Sequence, residues 1–157
     1  MWSIMCSPLV AGNDLTTIDE KTLSILTNKD IIALNQDPMG YQARRLSSMN
    51  NLEVWAKPLV STMSGKVAVV LLNRSKAAAD ISFDVSSVGL ESQKGYRYKD
   101  LWDKKTVDKT KEATLTFNVP SHGVVALLIE GKSLPLNLFQ YNEHLKCVHE
   151  ILREKND

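Results

Sequence analysis

Two hydrophobic periods divide this chain. Residues 5–12, "MCSPLVAG", form a short apolar run closed by Gly12, the length of a strand buried on both faces. Asn13 and Asp14 follow, and Thr17 with Glu20 has the S/T-x-x-E spacing of a capping box. Ile18, Leu23 and Leu26, then Ile31, Ile32 and Leu34 beyond a break at Asn28, supply the apolar side of two short helices. Residues 5–36 therefore read as strand, loop, capped helix and second helix, a single β/α unit. The run Asn35-Gln36-Asp37-Pro38 cannot stay helical, because Pro38 lacks an amide hydrogen and pushes Asp37 toward extended geometry. Gly40 permits the turn that follows.

Beyond this joint the period becomes two. In "LEVWAKPLV", Leu52, Val54 and Ala56 oppose Glu53, Trp55 and Lys57. "GKVAVVLLNRS" is apolar on both sides, with Val67, Val69 and Leu71 against Ala68, Val70 and Leu72. "ADISFDVS" and "ATLTFNV" alternate cleanly, "GYRYKDLW" puts Tyr96 and Tyr98 on one side, and "HGVVALLIEG" is a second continuous run. Short strands separated by turn-forming clusters predict an antiparallel β-sandwich. After Gly131 and Pro135 the period changes again. Leu138, Tyr141, Leu145, Val148 and Leu152 recur at alternating spacings of three and four, which predicts an amphipathic helical tail.

Charge removes several function classes. Lys and Arg number 19 against 18 Asp and Glu, so there is no basic excess to hold nucleic acid or an anionic membrane. No apolar run approaches the about 20 residues of a membrane helix. The start, "MWSIMCSPLVAGND", has no basic region and is broken by Ser3, Ser7 and Pro8, so it does not read as a secretory leader. Cys6 and Cys147, near opposite ends, do not make a disulfide framework.

Six runs together resemble the C-terminal part of glycoside hydrolase family 27, the α-galactosidase and α-N-acetylgalactosaminidase family. They are "SPLVAGNDL" (7–15), "LTNKDIIALNQDPMG" (26–40), "LEVWAKPL" (52–59), "VAVVLLNRS" (67–75), "KDLWD" (99–103) and "VPSHGVVALLI" (119–129). The resemblance spans about residues 2–130 and leaves the tail without a counterpart. It implies a mainly β chain: an antiparallel β-sandwich over 38–131, preceded over 1–37 by the last strand and helix of a truncated (β/α)8 barrel, with a helical tail over 132–157. It also implies retaining hydrolysis of terminal α-linked galactose by two aspartates, one attacking the anomeric carbon and one serving as acid and then base. No cofactor is implied. The motifs that hold those aspartates, including an "NDPDM"-like segment, are absent, so no catalytic residue is carried over to this chain. The α-galactoside is then the substrate of the parent enzyme, and the missing barrel portion is a candidate partner. Full-length members are often secreted or lysosomal, which leaves the compartment of this chain open.

Other candidate chemistry reads as structure. Asp14 follows the apolar run that the resemblance makes the last barrel strand, on the face where barrels do chemistry. However, Asn13 and Asp14 are suited to bonding loop backbone or capping the next helix. His144, Cys147 and His149 cluster, but offsets of three and five do not share a helical face, so no metal site is assigned. His122 in "PSHG" reads as a turn residue, and Trp55 and Trp102 as packing rather than sugar-stacking aromatics. Asn73-Arg74-Ser75 is a glycosylation sequon.

The barrel remnant poses an energetic problem. Each large apolar side chain left in water forgoes roughly 1.5–3 kcal/mol, against a whole-domain margin of about 5–15 kcal/mol. Residues 1–36 are therefore expected to be unstable alone, or to lie against the sandwich or tail. The chain should be inactive by itself. A non-catalytic carbohydrate-binding or accessory module is the rival reading, and a fragment that complements a separately made barrel is a third.

Overall fold

The computed structural model describes residues 1–60 and 64–134. Two seven-residue helices, α1 (Glu20–Leu26) and α2 (Lys29–Asn35), precede eight strands. These are β1 (Arg44–Met49), β2 (Leu52–Pro58), β3 (Lys66–Asn73), β4 (Ala79–Asp84), β5 (Tyr96–Asp100), β6 (Thr106–Thr110), β7 (Thr114–Val119) and β8 (Val124–Gly131). Six strands form one antiparallel sheet in the order β1-β2-β3-β8-β5-β6, and β4 pairs with β7 in a second.

The core between the sheets is what the period-two pattern demands. Val54, Val69, Leu71 and Leu127 from the large sheet meet Ile81, Phe83, Leu115 and Val119 from the small one. Asp80, Ser82 and Asp84 alternate outward on β4. Tyr98 and Phe117 meet edge to face at 5.8 Å, and Tyr96 sends its hydroxyl to the Glu112 carbonyl at 2.9 Å. The continuous apolar run of β3 has a different cause: its other face is also covered. Ala68, Val70 and Ala126 pack with Ile4, Leu34, Ala43 and Leu101 in a second cluster on the outer side of the large sheet. The N-terminal segment thus lies against the sandwich. At the lower rim the backbones are so close that a Cβ on Gly65 would stand 1.9 Å from the Gly131 carbonyl oxygen, and Gly65 has φ +72°.

Two expectations change, and two strands are added to those the pattern predicts. Residues 5–12 form no strand. A strand needs a neighbour for its amides, and none of the described residues pairs with this segment; Leu9 and Val10 are 42% and 82% exposed. The cap of α1 is Asp19, not Thr17: its carboxylate accepts from the Thr22 amide at 2.9 Å and the Thr22 hydroxyl at 2.6 Å. A charged acceptor in that place also faces the positive end of the helix. Strands β1 and β6 were not anticipated, because both are exposed edges with no apolar alternation to reveal them. The 138–152 stripe, with His144, Cys147 and His149, lies outside the described residues.

Candidate functional site

The junction between the N-terminal segment and the large sheet is joined by side-chain hydrogen bonds. Asn28 caps α2, its side-chain oxygen accepting from the Asp30 and Ile31 amides, while its Nδ2 reaches the Leu101 carbonyl at 3.1 Å. Asp30, one position into the helix, receives Lys99 at 2.9 Å and Lys104 at 2.6 Å. The Lys104 hydrogen bond first, then that of Lys99, holds the Asp30 carboxyl below its ordinary range. Asp37 closes the far end: one oxygen takes the Met39 amide and the other the Val60 amide at 2.8 Å. Asn35 reaches back to the Ser7 carbonyl at 2.9 Å. The segment 26–40 is therefore a clamp that fastens α2 to the sandwich.

Above the clamp lies a groove of about 760 Å³. Its walls come from Ile4, Leu9, Val10, Ile31, Val70 and Trp102, among others. No Asp, Glu, His, Lys or Arg stands among its described lining residues. Such a surface can exclude water and pack against apolar chain; the titratable group among its described lining residues is the Met1 terminal amine, whose charged form burial disfavours. A second, shallower cleft of about 410 Å³ lies at the lower rim, between Lys66, Lys94, Arg97, Asp108, Lys109 and Glu130. Glu130 there is already held by Arg97 and Lys66. Burial pushes its carboxyl up, and these hydrogen bonds outweigh that and keep it below its ordinary range.

Of the residues singled out in the sequence, those among the described residues each have a place. Asp14 is exposed, and its Oδ1 accepts from the Thr16 hydroxyl at 2.7 Å and the Thr16 amide at 2.9 Å. Those bonds, the hydroxyl's first, lower its carboxyl from the ordinary value. It bonds loop backbone, and no other described carboxylate shares its contacts. His122 is exposed in the turn where the Gly123 amide meets the Pro120 carbonyl, with φ +52°. Trp55 donates its indole N–H to Glu53 at 2.8 Å and lies 5.8 Å under the Arg45 guanidinium. Both Trp55 and Trp102 pack half-buried on the outer cluster.

Asn73 is fully buried, with Nδ2 donating to the Ala77 and Val119 carbonyls and Oδ1 accepting from Ser75. The sequon is thus closed to a glycan in the folded chain. The break at Asn28 was legible. That Asp30, Asp37 and the buried Lys57 tie the two parts together was not, because their partners are distant in sequence.

A family described as "Alpha galactosidase C-terminal beta sandwich domain" matches residues 49–129, and one described as "Alpha galactosidase A" matches residues 1–37. Alpha-galactosidase A of Cellvibrio japonicus is 38% identical over 142 residues, covering 84% of this chain and 34% of the relative. The alpha-galactosidase of Cyamopsis tetragonoloba is 38% identical over 133 residues, covering 85% and 31%. Among solved structures, alpha-galactosidase I from Mortierella vinacea superimposes with a TM-score of 0.77 at 28% identity, covering 85% of this chain and 34% of that one. The chain spans about a third of the length of the curated relatives it matches.

Proposed function

This chain belongs to the α-galactosidase family, glycoside hydrolase family 27, and we propose on that premise that it is a non-catalytic, sandwich-bearing C-terminal part of a retaining α-galactosidase. In this reading residues 1–37 are barrel, 38–131 are the sandwich and 132–157 are an appended tail. The parent activity is removal of terminal α-linked galactose. A retaining mechanism needs two carboxyl groups about 5–5.5 Å apart on either side of the scissile bond. The observation that carries the reading is the groove: its described walls hold no titratable side chain, and the nearby Asp14 is an exposed loop acceptor for Thr16.

The role left to this part is mechanical. Exposed Leu9, Val10 and Leu26 line the groove and give a surface suited to the rest of a barrel, and the Asn28–Asp30–Asp37 clamp sets the angle at which that barrel would meet the sandwich. Assay of the pure 157-residue chain on a chromogenic α-galactoside tests this directly. No release above buffer is expected. Turnover that scales with protein concentration, and survives repurification, would overturn the reading.

A further inference from the structure

Lys57 is the one buried lysine among the described residues, 1% exposed on β2. Its ammonium offers three N–H donors. One goes to the Leu34 carbonyl at 2.9 Å and one to the Cys6 sulfur at 3.1 Å. The third finds no partner among the described residues, and no described carboxylate forms an ion pair with it. Buried cations are normally paired; among the described residues, the only titratable group hydrogen-bonded to Lys57 is the Cys6 thiol. Cys6 is half-buried, and its thiol donates to the Tyr41 carbonyl at 3.0 Å. Nitrogen and sulfur thus already stand at the distance from which bonds are made, about 3–3.5 Å, although 51 residues separate them in sequence.

We propose that Cys6 and Lys57 form an oxidation site at which hydrogen peroxide closes a covalent nitrogen–sulfur bond between the N-terminal segment and β2. The Cys6 sulfur attacks one peroxide oxygen. An S–O bond forms, the O–O bond breaks, and the departing hydroxide takes the thiol proton as water, leaving a sulfenic acid. Lys57, its extra proton released to solvent, then attacks that sulfur with the amine lone pair. The N–S bond forms, the S–OH bond breaks, and hydroxide leaves with an amine proton as the second water. Sulfur loses two electrons and the peroxide gains them; a thiol, an ammonium and one peroxide become a sulfenamide, two waters and a proton. This is the chemistry by which a sulfenic acid condenses with a backbone nitrogen, with a side-chain amine in its place. The closed bond pins the N-terminal segment to the sheet as a disulfide would, and a thiol reductant reopens it.

The test uses the 157-residue chain carrying Cys147→Ser, which leaves Cys6 as its single thiol. After peroxide treatment the intact mass is expected to fall by two hydrogens and to return with dithiothreitol. Digestion is expected to yield one linked peptide pair containing positions 6 and 57. The same treatment in urea, where nothing holds the two atoms together, is expected to give no linked pair. Lys57→Met is expected to stop at a sulfenic acid trapped by dimedone. The proposal fails if the lysine-bearing chain gives only dimedone-trapped or further oxidised Cys6, if it does not react, or if the linked pair forms equally in urea. These readouts on the parent chain stand whether or not the Lys57 variant folds.

Discussion

Asn73 shows how one side chain can make the strand β3 end where it does. It sits at the last position of that strand, buried, and its amide joins two separate pieces of backbone: the following turn, through the Ser75 amide and the Ala77 carbonyl, and the end of β7, through the Val119 carbonyl. Asn73→Ala removes the buried bond to the Val119 carbonyl and two of the bonds that hold the half-exposed Ser75–Ala77 turn. A cost of about 2–3 kcal/mol is expected, measured as a lower urea midpoint at unchanged slope. An unchanged midpoint would mean that solvent enters the Asn73–Ser75 turn. Lys57 belongs at the same scale. A lysine facing away from the apolar side of an alternating strand is ordinarily solvated, and here it is among the most deeply buried side chains because the N-terminal segment lies over it.

At the scale of elements, α2 is held less by its own length than by its ends. Seven residues are too few to be helical alone in water. Asn28 and Asp30 at one end and Asp37 just past the other connect it to β5, its following loop and the end of β2. The pH dependence follows from Asp30. Its carboxyl is held below the ordinary value of 3.8 by Lys104 and Lys99. A lowered carboxylate contributes stability that is complete above its unfolded value and is lost as pH falls through its folded one. Hydrogen exchange in α2, corrected for the intrinsic rate, is therefore expected to hold steady down to about pH 4 and to accelerate below that. In Asp30→Asn the acceleration in that window disappears, and protection is already reduced at neutral pH. If the variant matched the parent at every pH, Asp30 would not be fastening the helix.

The whole molecule is a sheet packed on both faces by unlike partners. One face meets β4 and β7 across a dry interior; the other meets an N-terminal segment of which only a few residues, Ile4 and Leu34 among them, are buried. Residues 7–18 carry no helix or strand and are mostly exposed. Such segments open first. Limited proteolysis is expected to cut there before it touches the strands. A chain starting at Pro38 is expected to keep the β-sheet circular-dichroism signal but to self-associate in sedimentation, because Val70, Ala126 and Trp102 lose their cover. Loss of the β signal would show that the sandwich does not fold by itself.

Where a residue's surroundings are set by its neighbours along the chain, the amino-acid order alone was enough. The alternation of Ile81, Phe83 and Val85, or of Leu115, Phe117 and Val119, specifies strands with one dry face, and Pro38 with Gly40 ends the helical part. Six family-like runs in order identified the architecture. What the order could not specify are the consequences of long-range pairing. The run 5–12 has the composition of a buried strand, yet a strand exists only with hydrogen-bonded neighbours, and here it stays open. Strands β1 and β6 have no apolar code and exist because β2 and β5 offer them free amides and carbonyls. The Cys6–Lys57 contact and the Asp30 clamp join residues 51 and more than 60 positions apart. Local pattern reports which side of an element seeks cover; only the assembled fold decides what covers it, since burial and pairing are properties of the neighbours that arrive.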